Sequence, residues 1–264
     1  MTKATAAGNY YPMNPINSTL FSVLCGIYTV LAAIVTFVCG SPAVAKVPPT
    51  GKSSTKDRRR TCIITGSNTG IGLASAKDLV VNHGVDCILA CRNKSKADKA
   101  VEVINAAAIS AKVSARAHFV HPCDLSSFDS VRDFSKAFRA KYDTLDILIC
   151  NAGVNNSTEG RTTDGLQIIF QSNMLGHFLL TKSLFDLFPD DGTGRVVTLS
   201  SVAHHFVDNK AALDEKYWKT LANLDTSKSS ILPSYFRSVF DDCMQSYPPS
   251  KLATLLFAKE LNQR

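Results

Sequence analysis

Cys62-Ile63-Ile64-Thr65-Gly66-Ser67-Asn68-Thr69-Gly70-Ile71-Gly72 is the stretch that decides the fold. A short apolar run gives way to three glycines in the spacing Gly-x-x-x-Gly-x-Gly, and a periodic segment from Leu73 to Asn82 follows. The run reads as a buried strand and the segment as a helix. Glycines at such a junction let the backbone turn tightly and approach a pyrophosphate, which then rests on the helix N-terminus. Gly66, Ser67, Asn68, Gly70, Ile71 and Gly72 are therefore candidate cofactor-binding residues. The other reading of such a motif is a glycine-rich turn that holds no ligand.

The same alternation continues downstream. Asp86 to Cys91 reads as a second strand and Lys94 to Ser110 as a helix. Ala115 to Val120 reads as a third strand, and Ser126 or Ser127 can cap a helix running to about Tyr142. Leu145 to Cys150 is a fourth strand, Gly165 to Phe188 a long amphipathic helix, and Arg195 to Ser200 a fifth strand. Continuous apolar strands alternating with helices predict an α/β, Rossmann-like, doubly wound parallel sheet with helices on both faces.

With 264 residues the chain has room for one sizeable α/β domain and an appendage. A hydrophobic content of 45% against 19% charged excludes a disordered chain. The net charge of +7 is local: Lys46, Lys52, Lys56, Arg58, Arg59 and Arg60, opposed only by Asp57, hold most of it. That clustering argues against nucleic acid as a partner and for a juxtamembrane charge cluster. The eight cysteines form no Cys-x-x-Cys pair and no cluster with histidine, so a reducing compartment and no metal are expected. His204-His205 lacks further ligands and reads as a pair of loop histidines near the substrate mouth.

Residues 1–19 read as a tail, and Leu20 to Cys39 carries no charge over about the length of a membrane-spanning helix. Residues 40–60 form a basic linker, and 61–264 the catalytic-type domain. Basic residues after the apolar run place the domain on the cytosolic side of a membrane such as the endoplasmic reticulum. The competing reading takes Ala43-Val44-Ala45 as a cleavage site, followed by an organellar or plastid import segment. Lipid contact through Leu20 to Cys39 belongs to the first reading only.

Two further places carry chemistry. The second strand ends at Arg92-Asn93, without the carboxylate that would hydrogen-bond the ribose 2′-hydroxyl of NAD. An arginine there favours the 2′-phosphate, hence NADP(H) over NAD(H). The alternative is a solvated Arg92 with no ligand. Far downstream, Tyr247 and Lys251 sit four residues apart in Tyr-Pro-Pro-Ser-Lys, on one helix face. An ammonium beside a tyrosine stabilises the phenolate and brings its ordinary pKa of about 10 towards neutrality. Pro248 and Pro249 are compatible with a helix beginning there.

In this order, with Asn151-Ala152-Gly153 and Ser200-Ser201 between them, these motifs resemble the short-chain dehydrogenase/reductase family from about Thr61 onward. The resemblance implies Tyr247 as general acid/base and Lys251 as the residue that tunes it and holds the nicotinamide ribose. It implies Ser201 as the serine that polarises a substrate carbonyl, Ser200 remaining open. Asn173, in Gln171-Ser-Asn-Met-Leu-Gly-His-Phe, matches the asparagine that orders a proton-relay water; the alternative is a helix-bend residue whose side chain bonds backbone. Asp124 and Leu125 match the adenine-contacting position, Asp124 being otherwise a helix-start residue. Asn151, Ala152 and Gly153 match a segment that stabilises the sheet and lines the cofactor. The wording is most similar to the retinol-dehydrogenase-like branch, with protochlorophyllide reductases second. It implies a lipophilic alcohol or carbonyl, retinoid, steroid or lipid-like, and a possible homodimer through the two long helices.

Two departures from the family stand out. More residues separate Ser201 from Tyr247 than the family needs, and Tyr217-Trp218 and Ile231 to Phe236 in that interval are apolar enough for a substrate mouth. The sequence also stops at Arg264, where the family continues with further strands and helices, so the domain is expected to be C-terminally incomplete. Without those elements the outer edge of the fifth strand and the Tyr-Lys helix should expose apolar surface. The alternative function is then a truncated, non-catalytic, membrane-tethered cofactor-binding or interaction protein.

Overall fold

Strand β1, Thr61–Thr65, is buried along its whole length, and a computed structural model of the chain shows why. The model describes residues 58–155, 160–207, 214–223 and 246–263. β1 lies at the centre of a five-stranded sheet of order β3-β2-β1-β4-β5, with every pairing parallel. The other strands are β2 (Asp86–Ala90), β3 (Ala117–His118), β4 (Ile147–Cys150) and β5 (Arg195–Thr198). The helices are α1 (Gly70–His83), α2 (Lys94–Ser110) and α3 (Phe128–Arg139). Next comes a compound helix α4 (168–184), then α5 (Glu215–Ala222) and α6 (Tyr247–Leu261).

Period-two alternation along the strands feeds two cores. Cys62, Ile64, Cys87 and Leu89 face α1 and α2, where Ala76, Val80, Ala97 and Ile104 close the layer. Ile63, Ile88, Leu148 and Cys150 face α3 and α4, where Phe134, Phe138, Leu180 and Leu184 do so. The doubly wound reading is therefore correct. The described cysteines, Cys62, Cys87, Cys91, Cys123 and Cys150, are all buried and free, packing as small apolar groups. Among the described residues no group of side chains is arranged to hold a metal ion, and no helix is long and apolar enough to cross a membrane. The apolar run Leu20 to Cys39, Ala45 and Ile231 to Phe236 lie outside the described residues.

Some boundaries differ from expectation. The third strand spans two residues where six were expected, because only Cys87↔Ala117 and Ile88↔His118 find partners on β2. Ser127, not Ser126, caps α3, accepting from Ser130 N–H at 3.3 Å. The long amphipathic helix starts at Ile168 rather than Gly165, since Gly165 occupies a turn with φ +77°. It is also not uniform: α4 comprises Ile168–Phe170, a π-helical stretch Gln171–Leu175, and Gly176–Leu184. In the π stretch amides reach five residues back, as Gly176 N–H to Gln171 O shows. The interval between Ser201 and Tyr247 contains α5, where Trp218 stacks on Phe170 of α4 at 6.1 Å. Val197 on β5 and Leu255 and Leu256 on α6 are exposed.

The sheet is tied at its amino end by Asp146. Its carboxylate takes both Arg58 guanidinium nitrogens at 2.7 Å and Thr61 N–H at 2.7 Å. Asp146→Ala would strand a buried amide and unpair the arginine. It should lower the unfolding free energy by about 2–4 kcal/mol, read from a urea titration.

Candidate active site

In this topology β2 and β3 lie on one side of β1 and β4 and β5 on the other. The crevice at the carboxyl ends of β1 and β4 is the switch point where such sheets hold ligands. Both flanking loops come from the sequence-predicted set. Gly66 (φ +63°) turns the chain out of β1, its N–H bonded to Ala90 O at 2.9 Å. A Cβ on Gly66 would sit 3.0 Å from Ala152 Cα. A Cβ on Gly72 would sit 2.6 Å from both Asn151 Nδ2 and Gly66 O. Ser67 is fully buried and donates to Ile64 O at 2.7 Å. Asn68 is half-buried, and Gly70 and Ile71 are exposed at the start of α1. No side chain caps that helix, so its first amides are free for an anion.

The loop after β4 is bolted to the end of β1. Thr65 Oγ1 accepts from Asn151 N–H at 3.0 Å and Ala152 N–H at 2.9 Å. Asn151 Nδ2 in turn donates to Thr65 O at 2.8 Å. At the end of β2, Arg92 is exposed, while Asn93 caps α2 by accepting from Lys96 N–H at 2.9 Å. Asp124 accepts from Ser126 N–H at 3.0 Å and from its hydroxyl at 2.7 Å, forming a turn ahead of α3. Leu125 is buried beneath Gly176, whose Cβ would lie 2.5 Å from Leu125 O.

The downstream residues gather on the other side of the crevice. Ser246 precedes α6, and Pro248 and Pro249 occupy its first turn, where missing amides cost nothing. Lys251 is buried, with Nζ 5.6 Å from the centre of the Tyr247 ring and donating to Leu199 O at 2.8 Å. Burial pushes its pKa down. Ser200 and Ser201 part company. Ser200 Oγ donates to Lys251 O at 2.8 Å, which commits it to the α6 backbone. Ser201 Oγ accepts from Ala203 N–H at 3.2 Å at the head of a 3-10 turn packed on α6, leaving its proton to donate.

Asn173 lies in the π stretch of α4 with its side chain fully engaged. Its Oδ1 accepts from Val154 N–H at 2.8 Å; its Nδ2 donates to Val154 O at 2.9 Å and to Ser250 Oγ at 3.0 Å. A Cβ on Gly153 would lie 3.3 Å from Asn173 Oδ1 and 3.4 Å from Lys251 Nζ. Asn173 is thus at a helix irregularity with its side chain on backbone, and it is also beside the lysine.

One site residue carries no sequence signal beyond its spacing. His177, four residues after Asn173, is buried between Thr65 and the π stretch. Its Nδ1 lies 3.0 Å from Asn173 O and its Nε2 2.8 Å from Thr65 Oγ1. A carbonyl only accepts, so the proton is on Nδ1 and the threonine hydroxyl donates to Nε2. Burial lowers the imidazole pKa to about 4, Lys251 pushes the same way, and the Asn173 carbonyl opposes both. The stability consequence follows from linkage. Above pH ~6.5 the ring is neutral in both folded and unfolded chains and contributes no pH dependence. Below that, only the unfolded chain takes up the proton. Stability should therefore fall by about 1.4 kcal/mol per pH unit from this group until about pH 4. Urea midpoints of the unmodified chain should drop more steeply from pH 6.5 to 4.5 than those of His177→Asn.

Comparison with known proteins agrees with this geometry. The sequence profile described as short chain dehydrogenase matches residues 60–211. A WW domain-containing oxidoreductase from Gallus gallus is 40% identical over 76% of this chain and 44% of its own length. Human retinol dehydrogenase 13 is 36% identical over 78% of this chain and 54% of its own. The chain thus spans about half the length of these curated relatives. L-sorbose reductase from Gluconobacter frateurii, solved with NADPH and L-sorbose, shares the fold. Its TM-score is 0.53 at 20% identity, over 78% of this chain and 64% of that one. A glycine turn at the switch point, a helix that sets a buried Lys251 beside Tyr247 and a profile match across more than half of the sequence lead to one assignment: the chain belongs to the short-chain dehydrogenase family.

Proposed function

We propose that the chain is the cofactor-binding and proton-handling portion of an NADP(H)-dependent oxidoreductase that interconverts a lipophilic alcohol and its carbonyl. The observation that carries this reading is the buried Lys251 ammonium 5.6 Å from the Tyr247 ring and beside Gly153, where an added Cβ would lie 3.4 Å from its Nζ. The turn fits a dinucleotide: Gly66 and Gly72 let it pack against Ala152 and Asn151 with no room for a Cβ, the space beside Gly70 is open, and no side chain caps α1. Gly66, Ser67, Asn68, Gly70, Ile71 and Gly72 would hold the pyrophosphate end. Asn151, Ala152 and Gly153 would line the middle, and Asp124 and Leu125 the adenine side. When bound, the cofactor supplies or accepts a hydride.

In the reducing direction Ser201 donates a hydrogen bond to the substrate carbonyl oxygen, and Tyr247 Oη delivers its proton to that oxygen. Lys251 keeps the resulting phenolate stable and, with Nζ–H bonds to spare beyond Leu199 O, holds the ribose. Asn173 fixes the Val154 loop against Ser250 of α6, so that lysine and cofactor segment keep their register.

Cofactor choice rests on Arg92, exposed at the end of β2 with no carboxylate beside it. Arg92→Glu should weaken NADPH at least about tenfold while leaving NADH within about threefold, measured by cofactor fluorescence. The substrate class rests on similarity to retinol dehydrogenases. Retinal, a steroid ketone and a long-chain aldehyde are the compounds to test with NADPH, and failure of all three with NADPH bound would refute the reading. Membrane anchoring through Leu20 to Cys39, with the domain in the cytosol, and pairing of two copies through α4 and α6 complete the proposal. Exposed Phe178, Leu255 and Leu256 support the pairing.

A further inference from the structure

We propose that His177 is a positioning residue for the Tyr247 site: a buried hydrogen-bonded chain, Thr65–His177–Asn173, holds the Asn173 carbonyl in register with the end of β1. The inference rests on the oxidoreductase reading for its chemistry and on the contacts alone for its geometry.

Each member of the chain has its other polar groups spent. The Thr65 oxygen already accepts two amides from the Asn151 loop, so its proton is what remains, and His177 Nε2 at 2.8 Å is a nearer acceptor for it than Ile149 O at 3.4 Å. The Asn173 side chain is turned to Val154 and Ser250, and its main-chain carbonyl is the group turned to His177. That carbonyl sits in the π stretch, where amides bond five residues back rather than four. At 3.0 Å, the imidazole Nδ1–H of residue 177 takes one of its two lone pairs and leaves the other to be aimed.

The two ends of the chain belong to the two halves of the site. Thr65 directly precedes the cradle glycine Gly66. Asn173 reaches α6 through Ser250, whose hydroxyl donates to Tyr247 O at 2.7 Å. Asn173 and Lys251 also converge on Gly153. A buried histidine is most often mere packing. Here both nitrogens are used, one on each side of the crevice, and the charge facing the ring is the Lys251 ammonium. A neutral ring suits that place, because a second cation beside Lys251 would oppose the first.

Two isosteric substitutions separate positioning from packing. Asparagine puts an N–H where Nδ1–H lies and keeps the bond to Asn173 O. Glutamine puts a carbonyl where Nε2 lies and keeps the bond to Thr65. In NADPH-dependent reduction of retinal, His177→Gln should lower kcat about tenfold and leave KM for NADPH unchanged, whereas His177→Asn stays within about threefold. Equal losses in both variants, or full kcat in His177→Gln, would overturn the proposal. If either variant fails to fold, the imidazole ¹⁵N spectrum of the unmodified chain decides. A neutral ring protonated on Nδ1 supports the chain, and protonation on Nε2 overturns it. If the unmodified chain reduces no carbonyl although it binds NADPH, the oxidoreductase reading fails on its own. The Asn173 carbonyl ¹³C shift then judges the contact: a change in His177→Gln alone supports it, and a change in neither variant overturns it.

Discussion

Tyr247→Phe should lower carbonyl reduction by about 10³-fold while NADPH affinity stays within about threefold. The substitution removes one oxygen from a ring that is half-buried at the start of α6. Among the described residues no hydrogen bond is made to that oxygen. The helix begins on Ser246, with Ser250 N–H bonded to Ser246 O at 3.0 Å, and Ser250 Oγ holds the Tyr247 carbonyl rather than its side chain. Lys251 keeps its own bond to Leu199 O. What disappears is the acid that gives its proton to the forming alkoxide. Single-turnover rates with retinal, alongside a fluorescence titration of NADPH, separate the two effects.

Gly72→Ala should weaken NADPH binding by about 10- to 100-fold, through about 1–3 kcal/mol of overpacking at the cradle. The added methyl would meet Asn151 Nδ2 and Gly66 O at 2.6 Å and Ser67 Cα at 2.9 Å. Two of these are backbone atoms of the loop itself, so no rotamer change relieves the clash. The third belongs to the amide that holds Thr65 O, so displacing it loosens the junction between β1 and the loop after β4. Gly70 is the comparison. A Cβ there meets nothing within 4 Å, so Gly70→Ala carries only the strain of φ +56°, about 1–2 kcal/mol. Isothermal titration with NADPH should rank the two, with Gly72→Ala the weaker binder.

Much of this arrangement was legible before any coordinates. Apolar Cys62-Ile63-Ile64 could only be a buried strand, and three glycines behind it could only be a sharp turn into a helix. Local chemistry of this kind is written in adjacent residues. Ser201 was favoured over Ser200 from the motif alone, but the contact that distinguishes the two hydroxyls was not legible, because Ser200 donates to the carbonyl of Lys251, a residue far along the chain. Asn173 admitted two readings, and the structure keeps features of both: its side chain bonds backbone at a helix irregularity, and it lies beside Lys251. The π stretch itself gives no periodic signal, since one extra residue in a turn barely shifts an apolar stripe. Trp218 suited a substrate mouth by composition, and composition gave no sign of its partner Phe170, on which it stacks in a satellite core. The third strand was overestimated because its apolar residues outnumber its partners on β2. His177 was visible only as context for Asn173, and a spacing of four on a helix says nothing of Thr65, which approaches from the sheet.

The most direct test of the central claim is transfer of deuterium from NADPH labelled at the reactive carbon of its nicotinamide to a lipophilic carbonyl, read by mass spectrometry of the alcohol. The 264-residue chain should place the label on the carbinol carbon of at least one of retinal, a steroid ketone or a long-chain aldehyde, and Tyr247→Phe should place essentially none. Saturable NADPH binding with no labelled alcohol from any of the three carbonyls would contradict the account, leaving a cofactor-binding domain without the chemistry assigned to Tyr247 and Lys251.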